Sequence, residues 1–223
     1  MARTLLVDLV GLFPDSVGAA LRRSIVGRAQ ERGLVAVRGV QLREYAVDRH
    51  QTLDDEPYGG GAGMLLKPEP VLRALRDLRR PDSVVILLSA DGARFHQGIA
   101  RELAAQRHLI LLCGHYEGFD ARIRHFVDCT LSLGDFVLTG GEPAAWAIVD
   151  AVSRLVPGVL KEASLSEESF DGGLLEAPQY TRPPVFQALE VPEILRSGDH
   201  GAIALHRRRT SEERTRRKLG GGE

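Results

Sequence analysis

The chain has 223 residues, of which 43% are hydrophobic and 26% are charged, and this composition excludes disordered, collagen-like and disulfide-rich proteins. Lys and Arg number 29 against 30 Asp and Glu, which gives a formal net charge of -1. Bulk charge therefore offers no argument for a nucleic-acid partner, and the case for a function has to come from local segments.

Short apolar runs that alternate with a helical pattern predict an α/β domain. A dense apolar run from Thr4 to Phe13 is typical of a strand buried on both faces. The runs Val84–Ser89 and Leu109–Cys113 repeat this pattern, and the segment His96–Gln106 between them carries apolar residues at helical spacing. Strand, helix and strand within about thirty residues form a βαβ unit, which predicts a parallel sheet covered by helices on both faces.

The remaining chain divides into a long helix, a polar linker and a smaller C-terminal region. Pro143–Leu155 has Pro in its first turn and apolar faces, as expected of a helix. Residues 161–173 are rich in Ser and Glu without a period, and the four prolines that follow precede a helical stretch from His200 toward Lys218. We predict a large α/β domain over residues 1–160, a linker over 161–173 and a small, mostly helical domain over 174–223.

The cysteines and the N-terminal run indicate a cytoplasmic protein. Cys113 and Cys129 are too far apart in sequence for a CxxC metal or redox pair, and both lie in apolar runs. Asp8 stands where a signal peptide would need an apolar core, and no later run approaches the roughly 18 apolar residues of a membrane span. We expect no membrane segment.

Glycine-rich and polar segments supply the candidate sites. Tyr58–Met64 contains four glycines but has Leu66 where a dinucleotide fingerprint needs its last glycine, so it is either a binding loop or a flexible surface loop. Cys113–Asp120 follows a buried strand, where ligands of parallel sheets bind; the alternative is a turn with Asp120 as a helix cap. In Ser132–Glu142, glycines bracket an apolar stretch that could press backbone groups against a flat ligand such as adenine, although a hairpin turn has the same pattern.

A fourth candidate combines Arg154, at the end of the long predicted helix, with the linker carboxylates of Glu162, Glu167 and Glu168. The pattern alone favours solvated carboxylates and an arginine that interacts with the last carbonyl groups of its helix. The residues by themselves therefore do not assign a catalytic role here.

Six segments together resemble bacterial tRNA (guanine-37-N1)-methyltransferases in their order and spacing: DRHQTLDDEPYGGGAGM, LCGHYEGFDARI, SLGDFVLTGGE, AVSRLVPGVL, EESF and LLEAPQYTRP. The resemblance extends from residue 1 to about residue 200. It implies the SPOUT fold, an α/β domain with a parallel sheet whose C-terminal part is threaded into a deep trefoil knot. It also implies a small, mostly helical C-terminal domain that binds tRNA and that is shorter in this sequence than in the family.

The resemblance implies S-adenosylmethionine as methyl donor, held bent among the knot loops mainly by main-chain hydrogen bonds. The cofactor-binding residues implied are Leu88, Ser89, Ala90, Gly114, Leu133, Gly134, Asp135, Phe136, Val137, Leu138, Gly140 and Gly141. Gly59, Tyr116 and Glu117 match positions that contact the target base or shape its pocket.

The implied reaction is methylation of guanine N1 at guanosine-37 of tRNA, on the 3′ side of the anticodon. The family uses a linker aspartate as general base; Glu168 stands at that position, which keeps the carboxylate and lengthens its arm by one methylene. Arg154 matches an arginine that stabilises charge near guanine O6.

The resemblance further implies a homodimer with active sites at the subunit interface, and Mg2+, for which no acidic cluster identifies a ligand set. Two alternatives remain open. One is a knotted methyltransferase that acts on a ribose 2′-hydroxyl or on ribosomal RNA, and the other is a relative that binds RNA or nucleotides without catalysis.

Overall fold

The computed structural model describes residues 4–161, 169–170 and 173–220. The chain forms two compact units, Met1–Leu160 and Lys161–Glu223. In the part of the chain that the structure describes, no helix is long and apolar enough to cross a membrane.

The first unit is built on a five-stranded, entirely parallel sheet. Its strands are β1 (Leu5–Gly11), β2 (Val35–Gln41), β5 (Ser83–Arg94), β6 (His108–Cys113) and β7 (Cys129–Ser132). A separate two-stranded ribbon consists of β3 (Asp54–Asp55) and β4 (Leu65–Leu66). The order across the sheet is β2-β1-β6-β5-β7. The helices are α1 (Pro14–Leu21), α2 (Ser24–Glu31), α3 (Pro68–Leu78), α4 (Gln97–Ala104) and α5 (Glu142–Ser153).

The central strand β6 is buried along its whole length, which explains its unbroken apolar sequence. Leu109 and Leu111 join a core cluster with residues of α1, α2, α4 and α5. Ile110 and Leu112 point the other way, into a cluster with α3. Helices therefore cover both faces of the sheet, as the βαβ pattern predicts.

The predicted strands at Thr4–Phe13 and Leu109–Cys113 and the helices at His96–Gln106 and Pro143–Leu155 are confirmed to within two residues at each end. The strand predicted at Val84–Ser89 is longer than its apolar run. It continues to Arg94 through a bulge, because β7 pairs with both of its halves.

A buried polar network joins the N-terminal halves of four strands. The Asp8 carboxylate is fully buried and accepts two hydrogen bonds from the Arg38 guanidinium, each 2.7 Å long. His108 Nε2 lies 3.0 Å from Asp8 Oδ2, and its Nδ1 lies 2.7 Å from the hydroxyl oxygen of Ser83. These contacts leave each buried polar side chain of the network with a partner, as burial requires.

We expect Asp8→Ala to lower the free energy of unfolding by about 3 kcal/mol, the low end of the cost of breaking a buried ion pair. The low end applies because the Arg38 side chain is 52% exposed and can be rehydrated. Urea unfolding measures the change, with Asp82→Ala as control because Asp82 is exposed. Equal stability of the two variants would contradict a stabilising role for the network.

The second unit contains a short hairpin and a long helix. The hairpin pairs β8 (Val185–Phe186) with β9 (Leu189–Glu190). A 3-10 helix, Glu193–Arg196, precedes α6 (His200–Gly220), which confirms the helix predicted from His200 onward. The segment before the hairpin contacts α6: the Leu175 N–H donates to the Thr215 hydroxyl oxygen at 2.8 Å, and Lys218 Nζ lies 4.6 Å from the centre of the Phe170 ring.

Candidate functional site

The bulge of β5 and the loops after β6 and β7 meet and enclose a cleft of about 250 Å³. This is the edge at which parallel sheets bind ligands. The sheet order brings the loops together, because β5 lies between β6 and β7. The residues that line the cleft are Leu88, Ser89, Ala90, Gly114, His115, Tyr116, Glu117, Gly118, Leu131, Ser132, Leu133, Gly134, Phe136, Val137, Leu138, Thr139, Gly140, Gly141 and Ala144.

The loop after β7 is held directly against the loop after β6. His115 and Gly140 form an antiparallel bridge, and the Gly141 N–H donates to the Gly114 carbonyl oxygen at 2.8 Å. Only glycine fits this approach. A Cβ at position 141 would stand 2.6 Å from the Cα of Cys113, and a Cβ at position 140 would stand 2.5 Å from two atoms of the His115 ring.

A buried carboxylate also holds the loops after β6 and β7 together. Glu142 is 6% exposed, and its Oε2 lies 2.7 Å from His115 Nε2. Its Oε1 accepts a hydrogen bond of 3.2 Å from the backbone N–H of Phe13. Glu142 thus connects the loops after β1, β6 and β7, and its position in the first turn of α5 places its negative charge at the favourable end of that helix.

The second half of β5, which follows Leu88, is stabilised by a charged cluster that does not line the cleft. The Ser89 hydroxyl donates to Asp91 at 2.6 Å, and Arg124 Nη2 lies 2.7 Å from both Asp91 carboxylate oxygens. The hydrogen bonds from Ser89 and from Arg124 lower the pKa of the Asp91 carboxyl below its usual value. Asp91 is therefore ionised at neutral pH and fixes the Ser89 side chain at the edge of the cleft.

The cleft is nearly free of charge. Among the described residues that line it, Glu117 is the single Asp, Glu, Lys or Arg. Cys113 lies beneath the loops, and burial raises the pKa of its thiol well above the usual value, so it is not a thiolate nucleophile at neutral pH. Exposed backbone groups of glycines and apolar side chains such as Leu133 and Phe136 suit a ligand with a flat, uncharged ring.

The glycine-rich segment Tyr58–Met64 reaches the cleft at its C-terminal end. The Glu117 N–H donates to the Met64 carbonyl oxygen at 3.1 Å. A Cβ at Gly63 would lie 2.5 Å from Glu117 side-chain atoms, and Gly63 also has a φ of +87°, which favours glycine. The segment therefore positions Glu117, which explains part of its glycine content. Gly59 lies in the turn closed by the Gly60 N–H and the Pro57 carbonyl oxygen, and it does not line the cleft.

The structure brings together eleven of the twelve predicted cofactor residues; Asp135 is not among those that line the cleft. Tyr116 and Glu117, predicted to contact the substrate, line it as well. Arg154 ends α5, with its backbone N–H bonded to the Asp150 carbonyl oxygen at 3.3 Å. Glu168, like Glu162 and Glu167, lies outside the described residues.

The supporting residues Asp91 and Arg124 were not predicted from the sequence, and Glu142 was included in the candidate segment Ser132–Glu142 without its supporting role. Each carries its function through a contact with a residue distant in sequence, and no local pattern marks such contacts. The alternative interpretation of Asp120 is confirmed, because Asp120 caps the 3-10 helix Ala121–Phe126 and accepts a hydrogen bond from the Arg122 N–H.

Comparisons with known proteins agree with this architecture. A family model described as tRNA (Guanine-1)-methyltransferase TrmD matches residues 5–219. That range contains β1 and α6, so the match spans both compact units.

Several relatives named tRNA (guanine-N(1)-)-methyltransferase are similar over nearly the whole chain. The protein of Dictyoglomus turgidum is 50% identical over 210 residues, which cover 94% of this chain and 86% of the relative. That of Syntrophotalea carbinolica is 54% identical over 211 residues, covering 93% and 85%. That of Myxococcus xanthus is 55% identical over 208 residues, covering 91% and 83%.

Proposed function

The chain belongs to the tRNA (Guanine-1)-methyltransferase family, whose members methylate guanine N1 in tRNA, and on that premise we propose that it modifies guanosine-37 with S-adenosylmethionine as methyl donor. The observation that carries the proposal is the convergence of the β5 bulge and two glycine-containing loops, after β6 and after β7, on one nearly uncharged cleft at the edge of the sheet. This chemistry suits an adenine ring and a methionine chain.

The residues of the cleft fit the methyl donor. Backbone groups between Leu133 and Gly141, other than the Gly134, Phe136 and Gly141 N–H groups that donate within the protein, are proposed to bind the adenine edge. The side chains of Leu88 and Leu138 supply apolar contact. When bound, S-adenosylmethionine supplies an electrophilic methyl group on its sulfonium sulfur. The cleft contributes binding and alignment, which bring the attacking nitrogen and the methyl carbon in line.

We assign the proton transfer to Glu168. Guanine N1 forms a bond to the methyl carbon while the sulfur–methyl bond breaks and its electron pair returns to sulfur. The N1 proton passes to the Glu168 carboxylate, which contributes about 10²- to 10⁴-fold as a general base. Arg154 stabilises the negative charge that develops at guanine O6 as the proton leaves.

The target base requires a pocket beside the methyl donor. N1 of a paired guanine is engaged in base pairing, so the base has to leave its stack before the nitrogen can attack. Tyr116, 54% exposed at the mouth of the cleft, and Glu117 are proposed to receive the base, together with Gly59. The Tyr116 ring offers a stacking surface and the Glu117 carboxylate a hydrogen-bond acceptor.

We propose that the chain after β7 forms the deep trefoil knot of the SPOUT fold. One close approach of the backbone supports this proposal. The loop after β7 packs against the end of β6, where a Cβ at Gly141 would stand 2.6 Å from the Cα of Cys113. A chain threaded past another segment needs a close approach of this kind, which explains glycine at this position.

The second unit is proposed to be the tRNA-binding domain, small and mostly helical over 174–223, with residues 161–173 as its linker. Residues 173–220 hold nine Lys and Arg against six Asp and Glu, whereas the whole chain has a net charge of -1. Seven of the nine basic residues lie on α6, which concentrates positive charge on that helix, as binding of phosphates requires. A tRNA substrate and two free cysteines fit a cytoplasmic location.

The resemblance also implies Mg2+, for which the described residues show no ligand set. Among them, no three Asp, Glu, His or Cys side chains are close enough to hold a metal ion. We assign no Mg2+ ligand to the protein, and no proposed step passes through a metal.

We propose a homodimer with active sites at the subunit interface. A groove between α1 and α5 exposes two large apolar side chains, Phe13 at 58% and Trp146 at 50%. The groove shares His115 and Gly140 with the cleft, so a partner docked there would border the cleft. Light scattering should give a mass twice the 24.4 kDa of the chain. A monomer at concentrations that support methyl transfer would contradict the dimer.

The experiment that tests the proposed function is transfer of a labelled methyl group to an unmodified tRNA transcript with G at position 37. We expect label in this RNA and none in a transcript with A at position 37. Equal labelling of the two transcripts would show a different target. Absence of label from both, with the methyl donor bound, would favour a relative without catalysis.

A further inference from the structure

We propose that the Tyr180 pocket, a concavity in the second unit, binds one unpaired nucleotide of the substrate tRNA; this inference rests on the proposed function. The pocket is lined by Tyr180, Thr181, Arg182, Pro183, Pro184, Val191 and Arg196. Its volume of about 940 Å³ lies in the range of small-molecule sites, roughly 300–1,000 Å³. This volume is large enough for a nucleotide.

The backbone around the pocket is ordered by local hydrogen bonds. The Val191 N–H donates to the Pro184 carbonyl oxygen at 2.9 Å, which extends the β8–β9 hairpin by one further bond. Arg196 ends the 3-10 helix Glu193–Arg196 that follows the hairpin. Pro183, Pro184 and Val191 therefore line the pocket next to a backbone hydrogen bond, and an ordered backbone loses little conformational entropy when a ligand binds.

The aromatic side chain of the pocket is available for stacking. The Tyr180 side chain is 50% exposed although its ring is large and apolar. Unpaired RNA bases stack on exposed aromatic rings irrespective of their sequence. A base in a duplex has both faces covered by its neighbours, so the chemistry of the pocket selects an unpaired nucleotide.

The charge of the pocket selects a phosphate-bearing ligand. Arg182 and Arg196 line it, and within the described ranges neither guanidinium has an ion-pair partner. No Asp or Glu lines the pocket. A planar ring beside two guanidinium groups is the combination that recognises a base together with its phosphate.

The test measures binding of an unmodified tRNA transcript to the full-length protein. Tyr180→Ala should raise Kd by about 5- to 150-fold, the effect of losing one stacked base. Tyr180→Phe should bind within about twofold of the unaltered protein because it keeps the ring, whereas Tyr180→Leu, apolar but without a planar face, should behave like the alanine variant. Arg182→Ala should flatten the slope of log affinity against log salt by about 0.7 to 0.9 for one lost phosphate contact.

Three further measurements distinguish loss of nucleotide binding from misfolding and from failure of the proposed function. Melting temperature and binding of S-adenosylhomocysteine report whether the variants are folded. Methyl transfer by the unaltered protein, measured in parallel, tests the proposed function itself. If the unaltered protein methylates tRNA and Tyr180→Ala binds tRNA with unchanged Kd, the pocket is not a nucleotide site. If Tyr180→Leu binds as well as Tyr180→Phe, apolar packing explains the exposed ring, which would overturn the stacking proposal.

Discussion

Glu168→Ala should lower the single-turnover rate of methyl transfer by about 10²- to 10⁴-fold while leaving the affinity for S-adenosylmethionine unchanged. The reason is that N1 of guanine carries a proton that has to leave as the nitrogen attacks, and Glu168 is the proposed acceptor. The predicted cofactor residues lie at the bulge of β5 and in the loops after β6 and β7, so binding of the methyl donor is not expected to depend on this carboxylate. Rapid-quench kinetics with the enzyme in excess over tRNA measures the single-turnover rate, and calorimetry measures cofactor binding.

The neighbouring residue supplies a matched control. Glu167→Ala removes the same carboxylate one position earlier in the same linker and should leave the rate within a few-fold of the unaltered protein. Glu168→Asp should retain most of the rate, because the family carries aspartate at this position. If Glu167→Ala loses the rate and Glu168→Ala keeps it, the base is misassigned.

The second large effect is expected from Gly141→Ala, which should weaken S-adenosylhomocysteine binding by at least about tenfold and destabilise the fold by about 1–3 kcal/mol. The added Cβ would stand 2.6 Å from the Cα of Cys113 and 2.9 Å from the nitrogen of Gly114. Both contacts are with backbone, so the loop after β6 has to move. Position 141 has a φ of -77°, which alanine adopts freely, so the effect comes from crowding rather than backbone strain.

Gly18→Ala is the control for this variant. Gly18 lies inside α1, and no atom is within 4 Å of a Cβ built there. Alanine in a helix is about 0.5–1 kcal/mol more favourable than glycine, so this variant should be slightly more stable and should bind S-adenosylhomocysteine normally. Calorimetric titration and urea unfolding of the two variants give the comparison. Normal S-adenosylhomocysteine binding by Gly141→Ala would show that the loops after β6 and β7 can move apart without loss of binding.

The parallel sheet could be predicted from the sequence because strands buried on both faces have continuous apolar runs, as in Leu109–Cys113. The second half of β5, from Ala90 to Arg94, was not predicted because its residues are small or polar and mostly exposed. It becomes a strand by pairing with β7 beyond a bulge. Pairing of this kind depends on a neighbour some forty residues away, and no local pattern records it.

The glycine-rich segments predicted the cleft because two backbones that pack closely together require glycine, and these glycines are visible in the sequence. Their juxtaposition follows from the strand order, which the sequence does not display. The polar network shows the same limit. Asp8 is visible as a charge within an apolar run, but its partners Arg38 and His108 stand 30 and 100 residues away. Long-range partners of a buried charge are a property of the folded chain.

The measurement that tests the account most directly is the chemical position of the transferred methyl group. After reaction with S-adenosylmethionine, a tRNA with G at position 37 is digested and its nucleosides and fragments are identified by mass spectrometry. We expect N1-methylguanosine, located at position 37. A methyl group on a ribose 2′-hydroxyl, or on any base atom other than guanine N1, would contradict the assignment of the cleft and of Glu168.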